Sequence, residues 1–234
     1  MPITDPTTIQ LRRLSGSSLD AARWLLGARL TSTLGGEVVS VRLTEVEAYG
    51  GVGLDPASHA HRRRTVRNAP MFGPPGALYV YRSYGIHHLI NIVTEPEGVA
   101  GAVLLRAGEV VQGHAAVQAR RGPGARRPIE RWASGPGNLA QALGVVDTEL
   151  SGQFVGFQAP GTASQIPLTL QLPARRARHV LTGPRVGIGE EGMHLPWRLW
   201  IDGDPTVSAH RGPTRRRPAS GGSGARAVRQ DGAP

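Results

Sequence analysis

Two glutamates two residues apart, Glu45 and Glu47, are the side chains best placed to do chemistry in this sequence. Read at period two, Val39, Val41, Leu43, Glu45, Glu47 and Tyr49 share one face of a strand, so the carboxylates extend an apolar row that points inward. Burying a carboxylate is costly unless it gains a cationic or hydrogen-bonding partner or lines a cleft, where it can hold or deprotonate water. Residues two apart on a strand are separated by about 7 Å of rise, which also permits the paired carboxylates of a small-molecule glycoside hydrolase. Nothing places a substrate between the two, and a structural role for Glu45 is the better expectation.

The surrounding stretch from Val38 to Val93 holds all four tyrosines and four of the eight histidines. A loop with Ser58-His59-Ala60-His61 and Arg62 to Arg64 leads to Leu78-Tyr79-Val80-Tyr81-Arg82-Ser83-Tyr84-Gly85-Ile86. Two aromatic and β-branched runs joined through Ser83-Tyr84-Gly85 predict a hairpin with Tyr84 at its tip and His87, His88 and Asn91 on the returning strand. Core packing explains such a tyrosine poorly, whereas a wedge that props open a base step needs one. His59 and His61, without cysteine or a clear third ligand, make a poor metal site, and no metal is expected.

An ordered set of segments resembles the alkyladenine (3-methyladenine) DNA glycosylase family over most of the chain. It comprises Thr44-Glu45-Val46-Glu47-Ala48-Tyr49, Ser58-His59, Thr65-Val66-Arg67-Asn68, Met71-Phe72, Pro75 to Tyr81, Tyr84-Gly85, Asn91-Ile92, Val103 to Ala107, Ser134 to Leu143 and Pro184 to Gly189. The resemblance implies that Glu47 positions and activates the water that displaces the base, with Arg106 beside that water. It implies a base pocket of Tyr49, His59, Tyr81 and Asn91, in which aromatic faces favour electron-deficient purines and Asn91 opposes the amino group of guanine. Tyr84 would fill the space left by the flipped nucleotide, and Arg67, Arg82 and Arg120 to Arg127 are candidates for phosphate contacts. The loop from Gly50 to Ser58 and the arginines after His61 match poorly, and Asn138 stands where some relatives have a basic residue.

The implied activity is monofunctional excision of alkylated or deaminated purines in base excision repair, leaving an abasic site, with 3-methyladenine, 7-methylguanine, hypoxanthine and ethenoadenine as candidate bases. The alternative is a catalytically silent damaged-DNA or nucleic-acid binding protein that keeps pocket and wedge. No cofactor is expected, double-stranded DNA with damaged purines is the expected partner, and the chain is expected to act as a monomer in the cytoplasm.

The composition agrees with such a partner. The net charge is +10, and all 27 basic residues are arginine. Phosphates release counterions when arginines neutralise them, although a coding bias toward arginine would produce the same charge. Without lysine there is no side-chain amine for a Schiff base, so a water-using mechanism remains unless the α-amino group is recruited. Zero cysteines exclude disulfides and thiolate sites. No apolar run is long enough for a membrane span, and no secretory signal is visible.

The elements that must position these residues predict an α+β fold: a single mixed α/β domain with a curved, mainly antiparallel β-sheet, surrounding helices and a protruding β-hairpin. A flexible arm is expected over 1–16, the domain over 17–208 and a disordered Arg/Pro/Gly-rich tail over 209–234. Ser17 to Asp20 predict the start of a helix through Arg29. Strands are expected over Leu30 to Leu34, Glu37 to Tyr49, the hairpin, and Ala102 to Ala107. A helix weakened by Gly113 is expected over Glu109 to Arg120, and a short one over Gly135 to Leu143. Phe154 to Gln158, Leu168 to Leu172, Arg185 to Ile188 and Arg198 to Ile201 are further strand candidates.

Overall fold

The protein is described here by a computed structural model covering residues 6–157 and 166–210. Helix α1, Pro6–Leu14, occupies most of the stretch expected to be a flexible arm. It is tied down because Leu14 is fully buried, Gln10 accepts the Leu172 N–H at 2.8 Å, and Arg13 donates to the Pro173 carbonyl at 2.9 Å. Helix α2, Ser18–Leu25, is capped by the Ser17 hydroxyl, which accepts the Asp20 N–H at 3.2 Å. It stops four residues before the expected Arg29, because Leu26 is already extended and Gly27 takes φ 79°.

Strands β1 (Arg29–Ser32), β2 (Val39–Tyr49), β3 (Leu78–Ser83), β4 (His87–Val93) and β5 (Ala102–Gln112) follow. Residues 109–112, expected to be helical, continue β5 instead. Gly113 then turns the chain at φ 81°, and helix α3, His114–Arg121, begins after it. A Cβ at Gly113 would lie 2.3 Å from the Val38 carbonyl oxygen, so the turn needs glycine. Helix α4 is Pro136–Leu143, and β6 (Leu168–Gln171), β7 (Val180–Gly183) and β8 (Arg198–Ile201) complete the described elements. Strand β7 has no counterpart in the expectations, whereas Arg185 to Ile188, expected as a strand, is a loop. Phe154 and Gly156 form only isolated bridges with no strand around them, and Gln158, like the tail from residue 211, lies outside the described residues.

The result is a mixed α+β single domain built on an antiparallel sheet of order β3-β4-β5-β2-β1-β6. Strand β8 pairs with β2 beyond the end of β1, and β7 pairs with β8. One face of the sheet packs with α2 and α4 around the main core, to which β3 contributes Leu78 and Val80, β4 Ile90 and Ile92, and β5 Val103 and Leu105. By period two, the intervening residues Tyr79, Tyr81, Asn91, Leu104 and Arg106 belong to the other face.

Strand β2 departs from simple alternation. Its core residues are Val39, Val41 and Leu43, then Val46 and Ala48. The pairing with β5 shifts register between Leu43 and Glu45 and again between Glu45 and Val46, leaving Thr44 and Arg106 outside the ladder. This bulge reverses which residues face the core. Glu45, Glu47 and Tyr49 therefore do not extend the row of Val39, Val41 and Leu43, as the unbroken pattern predicts, but project from the opposite face.

Candidate active site

That opposite face forms the floor of an open cleft of about 1110 Å³, bordered by Tyr49, His59, Tyr81, Asn91, Tyr84 and Arg67 among others. Arg106 also lies on its floor, while Arg127, Arg131 and the start of α4 form the far wall. Arg82 stands apart: it is an exposed residue of β3 that does not border the cleft.

Glu47 is fully buried directly behind this floor. Its Oε1 accepts the Val186 N–H at 2.7 Å and lies 3.2 Å from Arg106 Nη1, while Oε2 accepts the Tyr49 hydroxyl at 2.9 Å. Two residues of the cleft floor, Tyr49 and Arg106, thus touch the carboxylate. An ionised carboxylate offers about four acceptor positions, so roughly one remains for a further donor.

Glu45, also fully buried, is saturated instead. Its Oε1 accepts from Arg106 Nε at 2.7 Å, Arg198 Nε at 2.8 Å and Ser208 Oγ at 2.9 Å, and its Oε2 accepts the Ser208 N–H at 2.6 Å. Burial opposes its charge, but Arg106 and Arg198 outweigh burial and hold the carboxyl below its ordinary range. Burial likewise opposes the charge of Arg106, and Glu47 with Glu45 raises that guanidinium above its usual value. Burial, then Glu47 and Tyr81, pushes the Tyr49 phenol well up, so it remains a hydrogen-bond donor.

The aromatic wall comes from β3 and the loop before it. Tyr79 and Tyr81 stack with centroids 5.3 Å apart, and the His59 ring meets Tyr81 edge-on at 4.8 Å. His59 Nδ1 pairs with the Tyr79 hydroxyl at 2.9 Å. Burial and then Arg67 hold the imidazole below its ordinary pKa, which keeps the ring neutral at neutral pH. Asn91 donates to the Tyr79 carbonyl at 2.9 Å, across the β3–β4 pair.

At the tip of the β3–β4 hairpin, Tyr84 is 85% exposed at φ 48° and Gly85 follows at φ 69°. Positive φ at both central residues is the signature of a type I′ turn, whose twist matches that of the strands. For tyrosine this conformation is strained, and no burial compensates it.

Several contributors were not among the candidates: Tyr79, Asp55, Arg185, Arg198 and Ser208. Asp55 and Arg185 form a fully buried bidentate pair at 2.6 and 2.7 Å, with the guanidinium 4.6 Å from the centre of the Tyr49 ring. Arg185 also donates to the Ala48 carbonyl at 2.9 Å, which fixes the segment that presents the Val186 N–H to Glu47. Only the segment Pro184 to Gly189 marked this region in the sequence, without indicating a partner. Among the described residues no cluster of three His, Asp or Glu side chains could hold a metal ion.

Residues 13–205 match the sequence model of the methylpurine-DNA glycosylase family, a span that contains every candidate residue. The chain belongs to the methylpurine-DNA glycosylase family. It is 47% identical over 211 residues to a protein of Rhodococcus jostii named "Putative 3-methyladenine DNA glycosylase", covering 88% of this chain and 86% of the relative. Proteins of the same name from Nocardia farcinica (50% over 195 residues, 82% of this chain and 86% of the relative) and Streptomyces avermitilis (47% over 203 residues, 85% and 90%) are similarly close. As a methylpurine-DNA glycosylase the chain is an N-glycosyl hydrolase of DNA repair, and DNA is its substrate. No helix among the described residues is long and apolar enough to cross a membrane.

Proposed function

We propose that this methylpurine-DNA glycosylase extrudes an alkylated purine from duplex DNA into the cleft and hydrolyses its N-glycosidic bond with a water activated by Glu47. The observation that carries this reading is the buried carboxylate of Glu47, held by Tyr49, Arg106 and the Val186 N–H directly behind a cleft walled by Tyr49, His59 and Tyr81. Water enters between Tyr49 and Arg106, its oxygen attacks C1′, and its proton passes to Glu47. The electron pair of the C1′–N bond leaves with the purine, which for an N3- or N7-methylated base neutralises the positive charge of the ring. The same carboxylate stabilises the positive charge that builds on the sugar, with Arg106 holding its orientation.

Selectivity follows from the walls. Aromatic faces stack strongly on a cationic purine, and a neutral His59 does not repel one. Asn91, fixed by its bond to the Tyr79 carbonyl, opposes the 2-amino group of normal guanine. Hypoxanthine and ethenoadenine lack the charge, and we rank them below 3-methyladenine and 7-methylguanine. With no lysine in the chain, the product is an intact strand carrying an abasic site.

The test uses methylated duplex DNA in EDTA. Wild-type protein should release methylpurines and create alkali-labile sites. Glu47→Gln should lower the single-turnover rate by about 10²- to 10⁴-fold, the usual contribution of a general base, while lesion-DNA affinity stays within about threefold. Retained turnover in that variant excludes Glu47 as the base.

A further inference from the structure

Glu45 has the geometry of a residue that acts on the chemistry through another side chain. Its oxygens accept from Arg106 Nε, Arg198 Nε, Ser208 Oγ and the Ser208 N–H, so it can neither hold a water nor face a substrate. The guanidinium of Arg106 is correspondingly spread over three partners: Nε on Glu45, Nη1 beside Glu47, and Nη2 donating to Ser208 Oγ at 3.3 Å. Arg198 closes the cluster by donating through Nη2 to the Ser208 carbonyl at 2.8 Å, with Nη1 3.4 Å from His210 Nδ1.

Charge supplies the second line of argument. Glu45, Glu47, Arg106 and Arg198 sum to zero in a site where all four are at least nine-tenths buried. Without Glu45, two guanidiniums would face the single carboxylate of Glu47. Arg106 would lose the bond on Nε that fixes the plane of its fork.

We propose that Glu45, supported by Arg198 and Ser208, is a positioning residue for base excision: it fixes the fork of Arg106 against Glu47 and balances the charge of the buried site. This rests on the reading that Glu47 activates the water. The titratable or charged groups around Glu47 are Tyr49 and Glu45 on its own strand, Arg106 on β5, Arg198 on the paired strand β8 and Tyr81 on β3, with Arg185 on the ring of Tyr49. Removing the charge of Glu45 takes a like charge away from Glu47 and leaves both Arg106 and Arg198 to favour its ionised form. The acid limb of the pH–rate profile therefore moves to lower pH.

The experiment measures single-turnover release of methylpurines from methylated duplex DNA across pH, together with Tm and lesion-DNA affinity, for wild type, Glu45→Gln and Glu47→Gln. Glu45→Gln is expected to lose about 10²-fold in rate, as misplacement of a catalytic group by about 1 Å does, with its acid limb displaced downward and lesion affinity within about threefold. A wild-type rate, or a slower rate with an unmoved acid limb, overturns the proposal. If Glu45→Gln does not fold, Ser208→Ala decides. It removes the hydroxyl shared with Glu45 and Arg106 and should slow excision about three- to tenfold at unchanged Tm, whereas an unchanged rate overturns the proposal. Retained excision in Glu47→Gln would instead defeat the underlying reading, a result distinguishable from failure at Glu45.

Discussion

The two glutamates of β2 differ in how much hydrogen-bonding capacity they have left. Glu45 has spent its own on two arginines and the Ser208 backbone and hydroxyl, while Glu47 keeps about one acceptor position free. Among the described residues, Tyr49 is the one side chain that both borders the cleft and bonds Glu47 through Oε2. Tyr49→Phe keeps the ring and removes that donor, so excision should fall about three- to tenfold while lesion-DNA affinity holds. Rate and affinity falling together would instead assign the hydroxyl to base binding. Residue types and their order were legible in the sequence, since Glu47, Tyr49, His59, Tyr81, Asn91 and Arg106 do meet around one cleft. Their pairings were not. Asp55 and Arg185 stand 130 residues apart, and neither has a neighbour in sequence that announces the other.

At the scale of elements, the β3–β4 hairpin is where local sequence and structure agree best. Ser83-Tyr84-Gly85 marked the turn, and glycine takes the positive φ it was expected to take. Tyr84 shares that conformation against its own preference, at a cost of about 1–3 kcal/mol in the folded state. Tyr84→Gly should therefore keep or raise Tm, partly offset by the greater freedom of glycine in the unfolded chain, while weakening lesion-DNA binding about tenfold or more. Loss of Tm would show that the ring packs against the fold; unchanged lesion affinity would remove it from the wedge role. The bulge in β2 is the opposite case. Nothing about Thr44 distinguishes it from a ladder residue, and a period-two reading cannot detect one residue out of step, so the glutamates were assigned to the wrong side of the sheet. The helix expected from Glu109 failed for a related reason, because long-range pairing with β2 overrode the local preference of Glu109 to Gln112.

For the whole molecule, buried ionisation ties stability to pH. His59 is held below its ordinary 6.5, Glu45 below 4.5 and Asp204 below 3.8. In each case the unfolded chain binds protons first as pH falls, so the stabilisation is complete above the ordinary value and is lost on the way down to the folded one. Tm should decline gently below about pH 6.5 and steeply below about pH 4.5. His59→Gln should flatten only the upper part of that decline and Glu45→Gln only the lower, as scanning calorimetry can measure. Stability that rises on acidification would contradict the burial of His59 and the ion pairs and hydrogen bonds that hold Glu45 and Asp204 ionised. Distance along the chain has another consequence, in the time order of synthesis. Glu45 is met by Ser208 from 163 positions later, and Arg198 from 153 positions later. A nascent chain emerges amino end first, so the hairpin and the aromatic slot exist as sequence long before the partners of Glu45 do. A polypeptide cut short ahead of Arg198 would carry every candidate catalytic residue and still lack the Arg198 and Ser208 partners that hold Glu45. With the positioning role of Glu45, the completion of the site waits on the last described strand of the sheet.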